Sequence, residues 1–193
     1  MKRLLVAVSA SCAISSWAVP AVRLEVPVTY HPNAGVVESV RSECQIESML
    51  ANRVGGALQK LNRRGGSTVE AGADPSGDNV LRVQITHVLG VGGGAWSGPK
   101  AITLTAELLE NGKVVRQTKI SRWNIGGAFG AFRGTCSILD RAAETISRDL
   151  SRWVSDPFYK IAEQPVPKET MANNAAQSAE AVESPVEPKP ESN

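Results

Sequence analysis

Two cysteines carry the most definite chemistry in this chain. Cys44 and Cys136 form an even pair once Cys12 is assigned to an N-terminal export signal. Exported proteins work in oxidising compartments, where thiol pairs persist as disulfides. The alternative is a pair of buried free thiols. We therefore predict a Cys44–Cys136 disulfide, which would close a loop of about ninety residues and stabilise the fold by about 4 kcal/mol in the chain-entropy model.

The glycine-rich segment 90–98 contains part of the spacing of a phosphate-binding loop. Pro99 separates Gly98 from Lys100, however, and no Ser or Thr follows the lysine, as a P-loop requires. The segment also leads into a strand-like pattern, whereas phosphate and dinucleotide loops lead into a helix. We interpret it as a connection between strands, in which Trp96 either contacts a partner or covers the end of the core.

The two histidines, His31 and His87, are too few for a metal site, because such sites usually need three or four ligands at recognisable spacing. We expect no metal and no cofactor, and we expect His87 to be partly buried and hydrogen-bonded. No Gly-x-Ser-x-Gly motif is present, and carboxylate pairs such as Glu43 and Glu47 fit solvated helix charges. The sequence thus predicts a protein that is not an enzyme. A hydrolase whose catalytic residues assemble from distant positions is the weakest alternative.

Four basic residues recur at every third position of one segment: Lys113, Arg116, Lys119 and Arg122. On a strand this spacing alternates between the two faces, so the four do not form one stripe. Such charges protect an exposed sheet edge from pairing. The functional alternative is that they contact a partner or an anionic lipid, such as the phosphates of lipopolysaccharide.

The first two elements that position these residues follow from the hydrophobic period. Residues 22–28 alternate apolar and polar side chains, which predicts a half-buried strand, and the segment 31–35 then breaks the chain. From about Ser42 to Leu61, apolar residues recur at three- and four-residue spacing, which predicts an amphipathic helix. Ser42 and Gln45 fit a capping box at the start of this helix.

Three more strands and a second helix complete the pattern. Alternation predicts strands over 81–86, 102–108 and 114–123, and Asn111-Gly112 predicts a two-residue type I′ turn between the last two. The span Ser137–Trp153 has the apolar period of a helix. The predicted fold is an α+β two-layer sandwich of order β-α-β-β-β-α, with a four-stranded, mostly antiparallel sheet and two helices on one face.

This topology and the disulfide prediction support each other. Two helices on one face of an antiparallel three-strand meander run in the same direction. Each cysteine lies at the predicted start of a helix, so both come to the same end of the helical layer.

The sequence divides into three parts. The basic start and short apolar run of residues 1–21 are typical of a cleaved signal peptide. Residues 22–156 form one domain, and residues 157–193, rich in Pro, Glu and Ala without an apolar period, predict a disordered tail. Lipidation of Cys12 is the alternative, but Ser9 stands where a lipoprotein signal usually has Leu, so we expect no lipid anchor.

Bulk properties narrow the classes of function. The formal net charge is +2, which argues against a nucleic-acid binder. No apolar stretch beyond the leader is long enough to span a membrane. With the predicted leader and disulfide, we expect a periplasmic or secreted protein.

The second half of the domain resembles known proteins in its pattern of strands and glycines. The span Asn79–Trp153 contains "LRVQITHVLGVGGG", "ITLTAELLENGKVV" and "ISRWNIGGAFG" before a terminal helix. It resembles uncharacterised bacterial envelope proteins whose architecture is similar to that of the curli-secretion lipoprotein and the LPS-assembly lipoproteins. The resemblance covers most of the domain and includes no catalytic motif. It implies an accessory or assembly role in the cell envelope.

The leading hypothesis is therefore a non-enzymatic periplasmic protein that assists envelope assembly or transport by binding a partner. Open edge strands could accept a partner strand by β-augmentation. The second hypothesis is a carrier that holds a lipid or another small apolar ligand between sheet and helices.

Overall fold

The computed structural model describes residues 20–63, 65–73, 75, 77–90, 99–125 and 134–165. They form an α+β fold with a mixed six-stranded sheet and three helices. The elements in chain order are β1 Val22–Val26, β2 Thr29–Gly35, α1 Glu38–Cys44, α2 Ile46–Leu61, β3 Thr68–Glu70, β4 Asn79–Leu89, β5 Lys100–Glu110, β6 Lys113–Asn124 and α3 Thr135–Ser155.

The three long strands β4, β5 and β6 form the antiparallel meander that the sequence predicts. Asn111 and Gly112 join β5 to β6 with φ angles of 50° and 75°. Both residues of a type I′ turn need positive φ, which Gly adopts freely and Asn tolerates. The predicted hairpin is therefore confirmed.

The prediction of a four-stranded, mostly antiparallel sheet is only partly right. β1 and β2 both pair with β4 in parallel, along successive stretches of the same edge, and β3 pairs with β1 in parallel. The chain passes through two helices between β2 and β4, and a strand–helix–strand crossover makes the two strands parallel. The sheet order is β3-β1-β4-β5-β6, with β2 beside β4.

Segment 31–35, predicted to break the chain, instead belongs to β2. This strand is irregular, since its register to β4 shifts between Tyr30 and Gly35. Pro32 and Asn33 within it have poor strand propensity, so pairing with β4 decides its conformation. The three-residue strand β3 is likewise too short to leave a sequence pattern.

The predicted first helix is two helices. Gln45 has a φ of 46°, in the left-handed region, and this residue separates α1 from α2. Ser42 does not cap a helix start as predicted, because it lies inside α1 and its hydroxyl donates to the carbonyl of Glu38 at 2.9 Å. The longer α3 matches the predicted second helix and ends one residue before Asp156.

The core lies between one face of the sheet and the helices α2 and α3. Leu24, Leu50, Ile85, Leu104 and Ile146, from β1, α2, β4, β5 and α3, have no exposed surface. Burying such a side chain stabilises the fold by roughly 1.5–3 kcal/mol. The same layer therefore fixes the position of α2 and α3 on β1, β4 and β5.

The disulfide joins Cys44 to Cys136, as predicted, with their Cα atoms 5.0 Å apart. Cys136 lies in the first turn of α3, whereas Cys44 ends α1 and precedes α2. Farther along, the Arg53 guanidinium donates to the Asp140 carboxylate at 2.8 Å. These two contacts show that α2 and α3 run in the same direction.

Residues 157–165, which the sequence assigns to the tail, lie against the domain. Tyr159 and Ile161 pack on the hydrophobic core. We call this segment the C-terminal strap. The predicted signal peptide, apart from residues 20 and 21, and the tail from 166 onward lie outside the described residues.

Candidate functional site

β6 is the twelve-residue strand at one end of the sheet order. Its inner side pairs with β5 along its whole length. The backbone N–H of Trp123 donates to the Gln164 side-chain oxygen at 3.1 Å, and the Gln164 amide nitrogen donates to the Trp123 carbonyl at 3.3 Å. Both backbone groups of Trp123 therefore point away from β5, to the outer side of the sheet.

The rest of the outer edge follows from alternation. In an antiparallel pair, every second residue directs its N–H and C=O away from its neighbour. Counting back from Trp123, these residues are Ser121, Lys119 and Gln117. Within the part of the chain that the structure describes, no further strand pairs with them. We call residues 117–121 the open edge.

The C-terminal strap covers the end of β6 next to the open edge. The Trp123 indole donates to the Pro165 carbonyl at 2.9 Å, and the Arg122 guanidinium donates to the Ala162 carbonyl at 3.0 Å. The side-chain amide of Gln164 hydrogen-bonds the N–H and the C=O of Trp123, as the backbone of a neighbouring strand would. The strap thus ends the accessible edge at Ser121.

Exposed apolar side chains lie at the other end of β6. Val114 and Val115 are 50% and 47% exposed, and Phe158 is 90% exposed. The Arg116 guanidinium reaches the carbonyl of Asp156 at 3.4 Å, which places the turn that carries Phe158 beside this end of the strand. The Asp156 side chain also accepts the N–H of Phe158 at 2.8 Å, so the turn is held locally. We call Val114, Val115 and Phe158 the apolar patch.

Two of the four predicted basic contacts are exposed. Lys113 and Lys119 lie on β6, at the start of the strand and in the open edge respectively. Trp96, the fifth predicted contact, lies outside the described residues. Whether these side chains bind a partner stays a prediction.

The other two basic residues are engaged inside the domain. Arg122 is buried and donates to the Asp149 carboxylate of α3 at 2.6 Å. Arg116 lies 4.5 Å over the ring of Trp153 and donates to the Trp153 carbonyl at 2.7 Å. The predicted alternation holds from Arg116 through Lys119 to Arg122, and it directs Arg116 and Arg122 to the helices. The bulge before Arg116 shifts Lys113 out of this alternation.

The sheet face opposite the helices is polar. Arg82 donates to both oxygens of Glu25, at 2.8 and 3.1 Å, and its guanidinium lies 3.5 Å from Glu107. Gln117 donates to Glu107 at 3.3 Å. These side chains form a row across β1, β4, β5 and β6. The hydrogen bond to the Glu25 carboxylate, with the charge of Glu107, raises the pKa of Arg82, so its guanidinium stays charged.

Three titratable groups that are buried or partly buried lie apart from the open edge. Lys100 at the start of β5 has no exposed surface, and burial lowers the pKa of its ammonium group. Tyr30 lies under the guanidinium of Arg41, 4.4 Å from its ring centre, and burial together with the Glu47 carboxylate raises its pKa. His87 is partly buried as expected, but its Nε2 has no hydrogen-bond partner within the described residues.

Two absences hold for the residues that the structure describes. No three or more His, Cys, Asp or Glu side chains are grouped so that they could hold a metal ion. No helix in this part of the chain combines the length and apolar character needed to cross a membrane.

Sequence reasoning missed the strap and the apolar patch. The pair of apolar residues in Lys113-Val114-Val115 interrupts the alternation, and this could have signalled the bulge between β5 and β6. Gln164 and Phe158 carry no such signal, because their roles depend on where the chain turns after α3.

Comparison with known proteins gives structural likeness alone. No protein-family model matches the chain, and no curated protein sequence matches it. Among solved structures, a DUF330 protein from Xanthomonas campestris is 13% identical with a TM-score of 0.48 and covers 71% of this chain and 87% of its own. The PelC dodecamer from Paraburkholderia phytofirmans is 18% identical with a TM-score of 0.41, covering 65% and 83%.

A third similar structure is lipoprotein GNA1162 from Neisseria meningitidis, 17% identical with a TM-score of 0.32, covering 72% of this chain and 100% of its own. The neighbours thus include a bacterial lipoprotein. Because each of these TM-scores is below 0.5, the likenesses assign neither a family nor a function to this chain.

Proposed function

We propose that this protein is a non-enzymatic, exported accessory protein of the cell envelope that binds an extended segment of a partner protein along β6. The open edge carries this proposal. Its outward backbone groups can hydrogen-bond an added strand without any change in the fold, which is the basis of β-augmentation. The leader-like sequence and the disulfide support the exported location.

The charged and the exposed apolar side chains beside the open edge indicate what kind of partner segment would bind there. Lys113 and Lys119 repel the same strand of a second copy, and they attract a segment that carries acidic residues. An exposed aromatic residue held on an ordered turn is typical of an interface anchor. Phe158 therefore fits an apolar side chain of the same segment, and the exposed Val114 and Val115 at this end of β6 offer further apolar surface.

The packing of the core favours partner binding over the alternative of a lipid carrier. The side chains between the sheet and the helices are buried against one another, including Leu24, Leu50, Leu104 and Ile146. A lipid in that position would have to displace core side chains, each of which contributes to stability.

The proposal is tested at Lys119, where proline would remove one outward N–H. Lys119→Pro leaves the hydrogen bonds to β5 in place, because that N–H does not point to β5. We expect Lys119→Pro to lower recovery of a co-purified envelope protein by about tenfold. Lys119→Ala is the matched control, since it removes the same charge and keeps the donor.

The two variants separate the outcomes. Retained capture by Lys119→Ala with loss in Lys119→Pro supports strand addition, provided that both variants unfold at temperatures close to that of the wild type. Equal capture by wild type and Lys119→Pro would contradict it.

A further inference from the structure

An open groove runs along the outer surface of the helical layer, between α2 and α3. Its volume is about 890 Å³. It lies on the helices and not on the sheet, so it is distinct from the open edge of β6. α2 contributes Gly56 and Lys60, and α3 contributes Glu144, Arg148 and Arg152.

Two of the charged side chains in the groove are neutralised by fixed partners. Arg53 pairs with Asp140, and Asp149 pairs with the buried Arg122. The Asp140 hydrogen bond also raises the pKa of Arg53, so its guanidinium stays charged.

The remaining charges leave the groove positive. Lys60, Arg148 and Arg152 face one carboxylate, that of Glu144. Within the described residues, none of these three cations forms an ion pair. Arg148 donates to the hydroxyl of Thr145 at 3.3 Å. Three cations against one anion attract an anionic ligand.

The floor of the groove is unusually open at Gly56. A methyl group added at Gly55 would lie 3.6 Å from the Thr68 side chain, so that glycine lies close to β3. A methyl group added at Gly56 would meet no atom within 4 Å. Glycine inside a helix is unfavourable relative to alanine, and no neighbour within the described residues requires it here. A ligand that approaches the helix backbone would require it.

We propose that the α2–α3 groove binds an anionic, hydroxyl-rich ligand of the acidic oligosaccharide class. The guanidinium groups of Arg148 and Arg152 suit bidentate contact with carboxylate or phosphate groups. Asn52 and Ser151, which also line the groove, can hydrogen-bond sugar hydroxyls. Gly56 leaves room for a sugar ring to lie on the backbone of α2. This site goes beyond the proposed function, since it needs no part of β6.

Two envelope sources share this ligand chemistry: acidic polysaccharides carry carboxylates, and the core sugars of lipopolysaccharide carry phosphates. The test therefore uses two probes with the full chain, a short oligogalacturonate and the phosphorylated oligosaccharide of deacylated lipopolysaccharide. Methyl-esterified oligogalacturonate is the uncharged control. Titration calorimetry should show binding of at least one acidic probe and none of the ester.

Three sets of substitutions test whether the binding takes place in the groove. Replacing Arg148 and Arg152 together by Gln should weaken binding by about tenfold or more. Replacing Lys113 and Lys119 together by Gln removes the same charge from β6, and it should leave the affinity within about twofold. Gly56→Leu should abolish binding by filling the floor, whereas the thermal unfolding temperature should not fall.

Three results would overturn the proposal. One is equal weakening by the two double variants, which would indicate general charge attraction. Another is unchanged binding in Gly56→Leu. The third is no binding of either acidic probe by the wild type at about 1 mM. None of these results bears on partner capture through Lys119, so failure of this site and failure of the proposed function are distinguishable.

Discussion

Gly90 shows how closely the elements approach one another at single residues. A methyl group placed there would lie 2.5 Å from a methyl group of Val40, so the end of β4 and the helix α1 meet through the missing side chain. The contact joins α1 to the sheet near the disulfide at Cys44. Any side chain at this position must displace α1 or distort β4.

We therefore expect Gly90→Ala to lower the free energy of unfolding by about 1–3 kcal/mol, the usual cost of overpacking. Gly56→Ala is the matched substitution, because it meets open space in a helix; it should raise stability by about 1 kcal/mol. Urea denaturation of both variants measures the difference. Equal effects in the two variants would contradict the close contact between Gly90 and Val40.

The roles of individual residues could be predicted from the sequence only in part. The pairing of Cys44 with Cys136 followed from cysteine count and export, without knowledge of the fold. The exposure of Lys119 and the burial of Arg122 did not follow from the sequence. Strand alternation assigns residues to two faces, but it does not indicate which face packs on the helices. Burial of Arg122 depends on Asp149, which lies 27 residues away.

Among the elements, α3 and β6 are held together by charged contacts as well as apolar ones. The side chains of Arg122 and Asp149 are 9% and 15% exposed. Breaking such a pair on one side leaves an uncompensated buried charge. Arg122 also binds the Ala162 carbonyl of the strap, so one guanidinium ties three segments together.

Arg122→Met should accordingly lower the free energy of unfolding by about 3–5 kcal/mol. Combining it with Asp149→Leu should restore part of this loss, because no charge is then left without a partner. The double-mutant cycle in urea measures the coupling. A single variant as stable as the wild type would show that Arg122 does not hold α3 on β6.

Local sequence signals predict some boundaries of helices and strands and not others. The antiparallel hairpin was predictable because Asn111-Gly112 determines its own turn. The helix break at Gln45 was not, because the apolar spacing continues across it and Gln is not a usual left-handed residue. β2 contains Pro32 and is a strand only because β4 supplies its partner.

For the whole molecule, the disulfide links the helical layer near one end. It joins residues 92 positions apart. Replacing Cys44 and Cys136 by Ala should lower the free energy of unfolding by about 2–5 kcal/mol. Denaturation with and without reductant checks this, and the doubly substituted protein should no longer respond to reductant. Intact mass showing two alkylated thiols in the untreated wild type would contradict the bond.

The overall class was predictable, whereas the full sheet and the candidate site were not. Two layers, the meander and parallel helices follow from the apolar periods together with the Asn111-Gly112 turn. The open edge depends on which strand ends the sheet and on where the strap lies, and both are set by contacts between distant residues such as Trp123 and Gln164.

Strand addition at β6 makes a residue-resolved prediction. In the free protein, the amides of Gln117, Lys119 and Ser121 point outward and should exchange quickly with solvent. The amides of Thr118 and Ile120 are bonded to β5 and should exchange slowly. Hydrogen exchange followed by NMR, with and without the captured partner, tests strand addition most directly. The bound partner should protect the three outward amides; equally fast exchange of these amides at saturating partner would contradict strand addition.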